Sequence, residues 1–466
     1  MNPFRRCLLS GVSILAACVA LTSRAAETFT FVEPTEVCFG KTAAAPLPAW
    51  VRTTTIYEVN VRQYSKDGSF AAVEADLPRI RDLGVGTLWF MPIHPIGEKN
   101  RKGPLGSYYA ARDYLAVNPE FGTAEDFRRL VNTAHGLGLR VILDWVANHT
   151  AWDHVWMQRH PEYFWRDRDG QPVPPLGFDW TDVVQLDYRK RDLWRAQIDA
   201  LAYWVREFDV DGFRFDYATG VPTAFWDEMS GQMRALRPDI FLLAEAQVPQ
   251  HQLRAFHASY SFDMMHAYNA IAQGREAAGH IDDVLAQYRV LFPAGGVFMH
   301  YTTNHDENSW QGTVFERLGG GVRPFAVVTF MLDGIPLIYN GQEAGLDKRL
   351  KFFERDPIAW QPHPLAGFYR TLTALRRDHP ALATGATFAR VPTAKNASVF
   401  GVVRESGGRR VAAFCNLTAR DVTCDAAHEQ LSGRWREAFT GETLVSAGSV
   451  RLELRSWEYR VWVSEP

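Results

Sequence analysis

The chain has 466 residues, of which 47% are hydrophobic and 22% are charged, so it can bury one large core with a smaller domain beside it. Its formal net charge is −3, which excludes the strong basic field that binding to nucleic acid or anionic lipid requires. A neutral substrate suits this balance, and no nucleic acid partner is expected.

Residues 1–25 are typical of an export signal, because two arginines precede an apolar run over 8–21. The run is too short for a stable membrane span, so the mature chain is expected to have no transmembrane segment. Two processing sites remain open. The segment LAAC ending at Cys18 is typical of a bacterial lipoprotein with a lipid anchor, and the small residues before Ala25 suit an ordinary signal peptidase. Either way we expect an exported protein, whether periplasmic, membrane-anchored or secreted.

Downstream, short apolar runs alternate with amphipathic helical patterns, which predicts parallel βα units. The predicted strands are 56–61, 87–91, 141–144, 212–216, 241–245, 260–263, 297–302 and 335–339. The clearest predicted helices are 126–136, 193–208 and 225–237. Eight such units predict an α/β fold in which a closed (β/α)8 TIM barrel spans residues 49–385.

One connection of the predicted barrel is unusually long. Residues 150–187 follow the third strand, are rich in Trp, Pro, Asp and Gly, and show little helical periodicity in their second half. We therefore expect a short, loop-rich insertion there. Loops at the carboxyl ends of barrel strands build active sites, so this insertion should form one wall of a cleft.

The pattern changes near residue 380. Alternating runs with Gly-Gly and Thr-Gly turns predict a small C-terminal antiparallel β domain over 386–466. Cys415 and Cys424 flank a turn that we expect to close a hairpin, and export would permit a disulfide between them. Cys38 is left over, and the scattered cysteine spacing excludes a cysteine-rich zinc site.

Four acidic residues fall at the ends of four predicted strands. Asp144 ends the third strand, Asp216 the fourth and Glu245 the fifth, and Asp306 follows the seventh. A single Asp at a strand end commonly caps a helix or turn. The carboxyl ends of barrel strands meet at one face, however, so four such groups predict a shared acidic cleft. Two carboxylates in a cleft are the minimum for cleaving a glycosidic bond with retention.

The segments around these residues resemble, in order, the four signature segments of the α-amylase family, glycoside hydrolase family 13: DWVANHT at 144–150, GFRFD at 212–216, LAEA at 243–246 and TNHDEN at 303–308. Further matches are YAARDY at 109–114, NPEFG at 118–122 and GIPLIYNGQE at 334–343. The resemblance runs from about residue 56 to 343 and implies a retaining, α-glucan-active barrel enzyme.

The resemblance implies a catalytic role for three carboxylates. Asp216 would form the covalent glycosyl intermediate, and Glu245 would protonate the leaving oxygen and then activate water. The second role requires an apolar or like-charged setting that holds the pKa of Glu245 up. Asp306 would grip sugar hydroxyls and favour ring distortion. Arg214, two residues before Asp216 on the same strand face, would keep Asp216 ionised.

Further residues would bind the substrate. The resemblance assigns Tyr109 a stacking position beneath one glucose unit, and His149 and His305 hydrogen bonds to the hydroxyls of that unit. Asp144 and Arg214 are also expected among the substrate-binding residues. The alternative for the two histidines is that they satisfy hydrogen bonds of the core.

Many members of the family bind a structural calcium between the barrel and the insertion, and no organic cofactor is implied. Asn148 and Asp187 occupy places resembling two ligands of that ion, and oxygen ligands of this kind suit calcium. The sequence departs from the family pattern after Asp216, because YATG at 217–220 lacks the Lys-His pair of typical α-amylases. That departure bears on both calcium binding and strict endo-amylase specificity.

Hydrolysis of α-1,4-glucosidic bonds in starch-type glucans or maltooligosaccharides, of α-amylase type, is therefore the expected function. The segment VQLD at 184–187 resembles the amylase-type version of another family signature. The main alternative is an α-glucosyltransferase, since a sugar hydroxyl can discharge the same covalent intermediate. A noncatalytic carbohydrate-binding barrel is the alternative from another class, and the presence of Asp216, Glu245 and Asp306 argues against it.

Overall fold

The computed structural model of the protein describes residues 42–465. The predicted export signal at 1–25, including Cys18, lies outside this range, as does Cys38, so export and lipidation stay predictions. Within the described range, no helix combines the length and the hydropathy that crossing a membrane would require.

Ten strands precede residue 340: β1 (Ile56–Val59), β2 (Thr87–Phe90), β3 (Arg140–Trp145), β4 (His149–Ala151), β5 (Val183–Gln185), β6 (Gly212–Phe215), β7 (Phe241–Ala244), β8 (Ala258–Tyr260), β9 (Phe298–His300) and β10 (Ile335–Tyr339). Eight of them close into a barrel in the order β1-β10-β9-β8-β7-β6-β3-β2. Every neighbouring pair in the barrel is parallel. The predicted (β/α)8 fold is confirmed.

The α-helices are α1 (Val61–Tyr64), α2 (Phe70–Asp82), α3 (Ala124–Gly136), α4 (Val155–Arg159), α5 (Arg191–Phe208), α6 (Thr223–Leu236), α7 (Phe262–Ala272), α8 (His280–Leu291), α9 (Val314–Leu318), α10 (Val322–Met331) and α11 (Pro364–Asp378). Short 3-10 turns lie at Ala49–Thr53, Pro161–Tyr163, Ala218–Gly220, Pro249–Gln252, Gly319–Gly321, Gln342–Ala344 and Pro380–Leu382, and a π turn at Glu307–Gln311. Helix α3 shows why these segments are helical. A reciprocal capping box between Thr123 and Asp126 starts it, and apolar residues three and four apart form its buried face.

Alternate residues of the barrel strands face two different cores. One cluster fills the inside of the barrel, with members Ile56, Trp89, Ile142, Leu243, Met299 and Leu337. The residues between them pack outward against the helices, among them Tyr57, Leu88, Leu143 and Leu242. Because side chains alternate along a strand, Glu58 and Arg214 fall on the inner face above this apolar plug. The polar inner positions are therefore concentrated at the carboxyl ends of the strands.

The insertion at 150–187 is more regular than its sequence suggests. Strands β4 and β5 pair antiparallel, with His149 opposite Gln185, and α4 lies between them. The insertion therefore leaves and re-enters the barrel at one place, where β4 meets β5.

The predicted sixth strand is shifted. We expected 260–263, but β8 is Ala258–Tyr260 and helix α7 already begins at Phe262. The aromatic residues Tyr260 and Phe262 are typical of a strand, whereas the buried Met264 and Tyr268 lie four residues apart and pack as a helix face. The four-residue spacing of the buried side chains therefore favours a helix over a strand from Phe262 onward.

The C-terminal part is a six-stranded antiparallel sheet of β11 (Thr387–Arg390), β12 (Val399–Ser406), β13 (Arg409–Asn416), β14 (Val422–Glu437), β15 (Thr443–Leu454) and β16 (Tyr459–Ser464). The strand order is β11-β12-β13-β16-β14-β15. The predicted antiparallel domain is confirmed.

The predicted cysteine hairpin is wrong. Cys415 lies on β13 and Cys424 on β14, and β16 inserts between these two strands, so they do not pair. Both thiols are free and buried, and burial raises the pKa of each. The last strand of the chain, β16, pairs with β13 at the position where the local turn predicts β14.

A buried arginine docks the sheet on the barrel. Arg404 of β12 is fully buried, and its guanidinium donates to the carbonyl oxygens of Met331 and Ala383 and to the carboxylate of Asp333. Each of these acceptors lies between the barrel and the sheet. One side chain therefore satisfies several polar groups that docking removes from water.

Replacing Arg404 with Met should destabilise the whole molecule by about 2 kcal/mol or more, because each buried acceptor left without a donor costs roughly 1–3 kcal/mol. Denaturant unfolding of the two proteins measures the difference. Arg451→Met, at an exposed position on β15, is the control and should change little. Equal stability of Arg404→Met and the wild type would mean that Arg404 does not hold the sheet in place.

Candidate active site

A cleft of about 850 Å³ opens at the carboxyl ends of the barrel strands. The predicted residues lining it are Tyr109, His149, Asp216, Glu245 and Asp306. Directly beneath them lie the buried side chains of Asp144, Arg214 and His305, which contact the lining residues. The structure therefore brings together all eight residues expected in the cleft.

The guanidinium of Arg214 is the centre of this arrangement. It is fully buried, and Nη1 lies 2.8 Å from Oδ1 of Asp144 and 3.2 Å from Oδ1 of Asp216. Nη2 lies 2.7 Å from Oε1 of Glu245, and Nε donates to the hydroxyl of Tyr260 at 3.1 Å. One positive charge thus neutralises part of three negative charges in a water-poor setting.

Asp216 and Glu245 follow neighbouring strands, β6 and β7, and share the guanidinium of Arg214. Burial raises the pKa of Asp216, the Glu245 carboxylate raises it further, and Arg214 opposes both effects. Burial and the Glu245 carboxylate together outweigh Arg214, so the pKa of Asp216 lies well above its ordinary value and a proton is favoured at this place. A pair that carries one proton is what acid catalysis beside a nucleophile requires.

The backbone beside the pair is strained. Tyr217 has φ 39° and ψ 51°, a left-handed conformation that is uncommon for a bulky residue and costs of order 1–3 kcal/mol. This conformation aims the Tyr217 N–H at Oε2 of Glu245, 2.7 Å away. Glu245 therefore receives a backbone hydrogen bond in addition to its ion pair with Arg214.

A second polar chain runs along the other side of the cleft. His305 lies with Nδ1 2.5 Å from Oε1 of Glu58 and Nε2 3.2 Å from Oδ2 of Asp306. The hydroxyl of Tyr109 lies 2.7 Å from the same Nε2 and donates to Oδ2 of Asp144 at 3.2 Å. The ring of Tyr109 stacks on the imidazole of His305 with a centroid distance of 5.5 Å. This chain positions Asp306, whose side chain is 43% exposed, at the cleft surface.

The charges along this chain follow from its contacts. Burial alone would lower the pKa of His305, but Asp306 and Glu58 raise it well above its ordinary value. Burial would raise the pKa of Asp306, but the charge and hydrogen bond of His305, with Arg214 and Trp310, together lower it. Burial raises the pKa of Asp144 to about 6 although Arg214 opposes the rise. His305 therefore carries a proton near neutral pH and Asp306 is ionised.

His149 differs from His305 because no acid lies against it. Burial lowers the pKa of His149 to about 3, so its ring is neutral at the cleft wall. The ring contacts Trp180 of the insertion at 5.5 Å between centroids. A neutral imidazole in this position can donate and accept one hydrogen bond each.

Two groups of aromatic side chains line the cleft with the carboxylates. Trp180 stacks on Phe178 at 4.1 Å between centroids and meets the ring of Tyr217 edge-on at 5.2 Å. In the second group, Trp310 lies 5.1 Å from Phe352, and its side chain is half exposed. The cleft therefore combines apolar ring faces with its acidic centre.

Several site residues escaped the sequence analysis. Glu58 was not singled out, although a charged residue two positions after Ile56 in an apolar strand must share the inner face of the barrel. The inner-face position of Tyr260 was hidden by the misplaced sixth strand. Trp180 and Phe352 lie on long connections, and no local pattern indicates which aromatic residues of a loop face the cleft.

The chain is similar in sequence and structure to proteins of known family. A family model described as the alpha amylase catalytic domain matches residues 53–181 and 176–379. The chain belongs to the α-amylase family. A crystal structure of an alpha-amylase from Lactobacillus plantarum matches with a TM-score of 0.80 and 34% sequence identity, over 89% of this chain and 100% of that one.

Two curated relatives widen the comparison. Alpha-amylase MalA of Haloarcula japonica is 28% identical over 390 residues, which are 80% of this chain and 55% of that protein. The alpha-1,4-glucan:maltose-1-phosphate maltosyltransferase of Cereibacter sphaeroides is 38% identical over 234 residues, which are 45% of this chain and 33% of that protein. The chain thus spans about half the length of the first relative and a third of the second, and the family includes both hydrolases and transferases.

The α-amylase family suggests calcium at Asn148 and Asp187, but their contacts do not fit an ion. Both carboxylate oxygens of Asp187 accept from the guanidinium of Arg189, each at 2.7 Å. Oδ1 of Asn148 accepts from the amide of Gln185 at 3.0 Å. In residues 42–465, no group of three or more His, Cys, Asp and Glu side chains is arranged to hold a metal. No step of the chemistry is therefore assigned to calcium.

The effect of Glu58 on the pKa of His305 can be tested by titration. Glu58→Gln removes a negative charge next to His305, so the pKa of His305 should fall. A folded-state pKa above the unfolded one stabilises the protein at low pH, and this stability is lost as the pH rises through the folded-state pKa. In the variant that loss should therefore occur at lower pH. NMR of 15N-labelled histidine gives the titration midpoint, and unfolding free energy against pH gives the linked stability.

Glu74→Gln is the control for this experiment, because Glu74 is a largely buried carboxylate paired with Arg129, outside the cleft. It should leave the His305 titration unchanged. An unchanged midpoint in Glu58→Gln itself would show that Glu58 does not set the charge of His305.

Proposed function

We propose that this protein hydrolyses α-1,4-glucosidic bonds of starch-type glucans or maltooligosaccharides and retains the anomeric configuration. The observation that carries the proposal is the placement of Asp216 and Glu245, two carboxylates on adjacent strand ends that share one buried guanidinium in a cleft. Such a pair can divide the work of nucleophile and proton donor.

In the first step, the ionised Asp216 attacks the anomeric carbon while Glu245 gives its proton to the departing glycosidic oxygen. The bond from carbon to that oxygen breaks as the bond to Asp216 forms. The positive charge of Arg214, with Nη1 3.2 Å from Oδ1 of Asp216, stabilises the carboxylate of Asp216 before attack. The product of the step is a covalent glycosyl ester on Asp216.

In the second step, Glu245, now ionised, removes a proton from water, and the hydroxide attacks the same carbon. The carbon–Asp216 bond breaks, and both residues return to their starting states. The Tyr217 N–H donates to Oε2 of Glu245 and Arg214 lies 2.7 Å from its Oε1, so both contacts hold the carboxylate in place as it takes the proton from water.

The remaining polar groups hold the reacting sugar. Asp306 is ionised and reaches the cleft, so it can accept hydrogen bonds from two hydroxyls, and the protonated His305 supports it from beneath. Neutral His149 contributes a hydrogen bond from the opposite wall. Tyr109 supplies an aromatic face between them. These contacts would orient the ring for attack on its anomeric carbon.

A glucan chain suits the aromatic faces of the cleft. The faces of sugar rings carry C–H groups that pack against aromatic rings, and Trp180 and Trp310 line the cleft together with the carboxylates. Two relatives bear the name alpha-amylase, which supports the same substrate class.

Transfer to a sugar acceptor is the second candidate function. One specific observation favours it: Trp180, Phe178 and Tyr217 form an aromatic cluster beside the nucleophile, where family members typically carry a Lys-His pair after Asp216. An acceptor sugar held there would compete with water for the covalent intermediate. The maltosyltransferase relative supports this candidate. A noncatalytic barrel is opposed by the intact set of carboxylates.

Maltoheptaose turnover separates these functions. We expect shorter maltooligosaccharides whose newly formed reducing ends are first α, because two displacements restore the starting configuration. Proton NMR in the first minutes of the reaction gives the anomer, and chromatography with and without added maltose gives the balance of hydrolysis and transfer. An initial β anomer contradicts the retaining mechanism, and products longer than the substrate favour the transferase.

Amide substitutions test the two carboxylate roles. Glu245→Gln should lose at least roughly 10² to 10⁴ in kcat on maltoheptaose, the usual contribution of general acid–base catalysis. It should still react with α-glucosyl fluoride, whose leaving group needs no proton, and intact-protein mass spectrometry should detect a glycosyl adduct. Asp216→Asn should fail with both substrates, since the attacking carboxylate is gone.

Asp182→Asn is the control for these substitutions, because Asp182 lines the cleft but pairs with Lys102. It should keep most of its activity on both substrates. An adduct on Asp216→Asn and none on Glu245→Gln would mean that the two roles are exchanged. Equal, modest losses in both variants would show that neither carboxylate is catalytic.

A further inference from the structure

The base of the insertion, defined here as Asn148, Gln185, Asp187 and Arg189, gathers oxygen atoms around nitrogen donors. The side-chain amide nitrogen of Gln185 donates to the backbone oxygen of Asn148 at 3.0 Å, to Oδ1 of Asn148 at 3.0 Å, and to the backbone oxygen of Leu186 at 3.2 Å. Three carbonyl-type oxygens thus converge on one nitrogen. Calcium collects oxygens of this type, so the amide occupies the place of a cation.

The carboxylate oxygens of Asp187, at the base of the insertion, also accept hydrogen bonds from nitrogen donors of the protein. Asp187 is only 3% exposed, and its two carboxylate oxygens accept from Nε and Nη2 of Arg189. Oδ1 also accepts from the backbone N–H of Arg189 at 3.1 Å. A two-pronged arginine–carboxylate pair is among the strongest hydrogen-bonded ion pairs in proteins. The negative charge of Asp187 is therefore neutralised without a metal ion.

Arg189 is itself held in place by the insertion. Its guanidinium lies 3.9 Å above the ring of Trp165, at the distance of a cation–π contact. The backbone N–H of Trp165 bonds to the carbonyl of Gln185, and that of Asp187 to the carbonyl of Tyr163. One side chain thus links the interior of the insertion to the strand that returns to the barrel.

We propose that Gln185 and Arg189 are a built-in replacement for a structural cation, so that the base of the insertion is held by protein donors and needs no calcium. The arrangement also bears on the cleft, because Asn148 directly precedes His149 and its amide lies 3.1 Å from Nδ1 of that ring. A held Asn148 keeps His149 at the cleft wall. This inference concerns stability and metal binding, so it does not depend on the proposed reaction.

The first test uses the wild-type protein. Melting curves recorded with a chelator and with millimolar Ca²⁺ should superimpose, and isothermal titration with Ca²⁺ alone should give no binding heat. A lower melting temperature in chelator, or saturable Ca²⁺ binding, would overturn the proposal whatever the activity of the enzyme is.

The second test removes the built-in charge. Arg189→Met keeps an unbranched apolar side chain against Trp165 but leaves Asp187 buried without a positive partner, so its melting temperature should fall by several degrees. Ca²⁺ should restore part of the loss and should bind with a Kd on the order of 10⁻³ M or tighter, because oxygen ligands are now free. Arg189→Lys should fall between the variant and the wild type, since it restores charge without the planar fork.

Arg129→Met is the matched control, because Arg129 is half exposed, pairs with two carboxylates on the outer helices, and lies away from the insertion. It should change the melting temperature little and should not respond to Ca²⁺. Arg189→Met with wild-type stability would overturn the proposal, and so would a Ca²⁺ response equal to that of Arg129→Met. Should Arg189→Met fail to fold, the Lys variant and the wild-type titration still decide the question.

Discussion

The buried guanidinium of Arg214 is the interaction on which the rest of the site depends. Taking this charge out of water costs several kcal/mol, and the cost is offset only because Asp144, Asp216 and Glu245 surround it. The dependence is mutual, since each carboxylate would otherwise be buried without a partner. The Tyr260 hydroxyl accepts a hydrogen bond from Nε of Arg214. Catalytic groups and structural groups are therefore one electrostatic unit, and a change in any member alters the proton affinity of the others.

The barrel makes this unit possible by separating two kinds of inner residue along the strand direction. Toward the amino ends the inner positions are apolar and form a closed plug, which includes Trp89 and Ile142. Toward the carboxyl ends the same inner rows carry Glu58, Asp144 and Arg214. The plug keeps water from reaching the charges from below, so only the cleft side is wet. Local fields there are stronger than they would be in open solvent, which is what makes charge placement effective in catalysis.

The barrel and the acidic cluster could be predicted from the sequence because both follow from short-range patterns. Asp216 and Glu245 each follow a run of apolar residues at a strand end, and parallel strands bring such ends together whatever the loops do. Glu58 was equally accessible to that logic and was missed. The position of Trp180 and the pairing of Cys415 depend on contacts with residues far along the chain. Strand β16 begins more than thirty positions after Cys424 and lies between the strands of Cys415 and Cys424, which keeps them apart. No local sequence pattern predicts this strand order.

The ion pairs at the base of the insertion could not be predicted from the sequence either. The motif around Asp187 predicts a metal ligand, and Arg189 lies only two residues later. Only the structure shows that the Arg189 side chain folds back and donates to both carboxylate oxygens of Asp187. Arg214 and Arg189 both neutralise carboxylates, Arg214 by contact with three acids in the barrel and Arg189 by contact with both oxygens of Asp187. Unlike a bound ion, an arginine cannot exchange with solvent and stays protonated at any working pH. Because the charge of Arg214 is fixed, the pH response of the cleft depends on its acids and on His305.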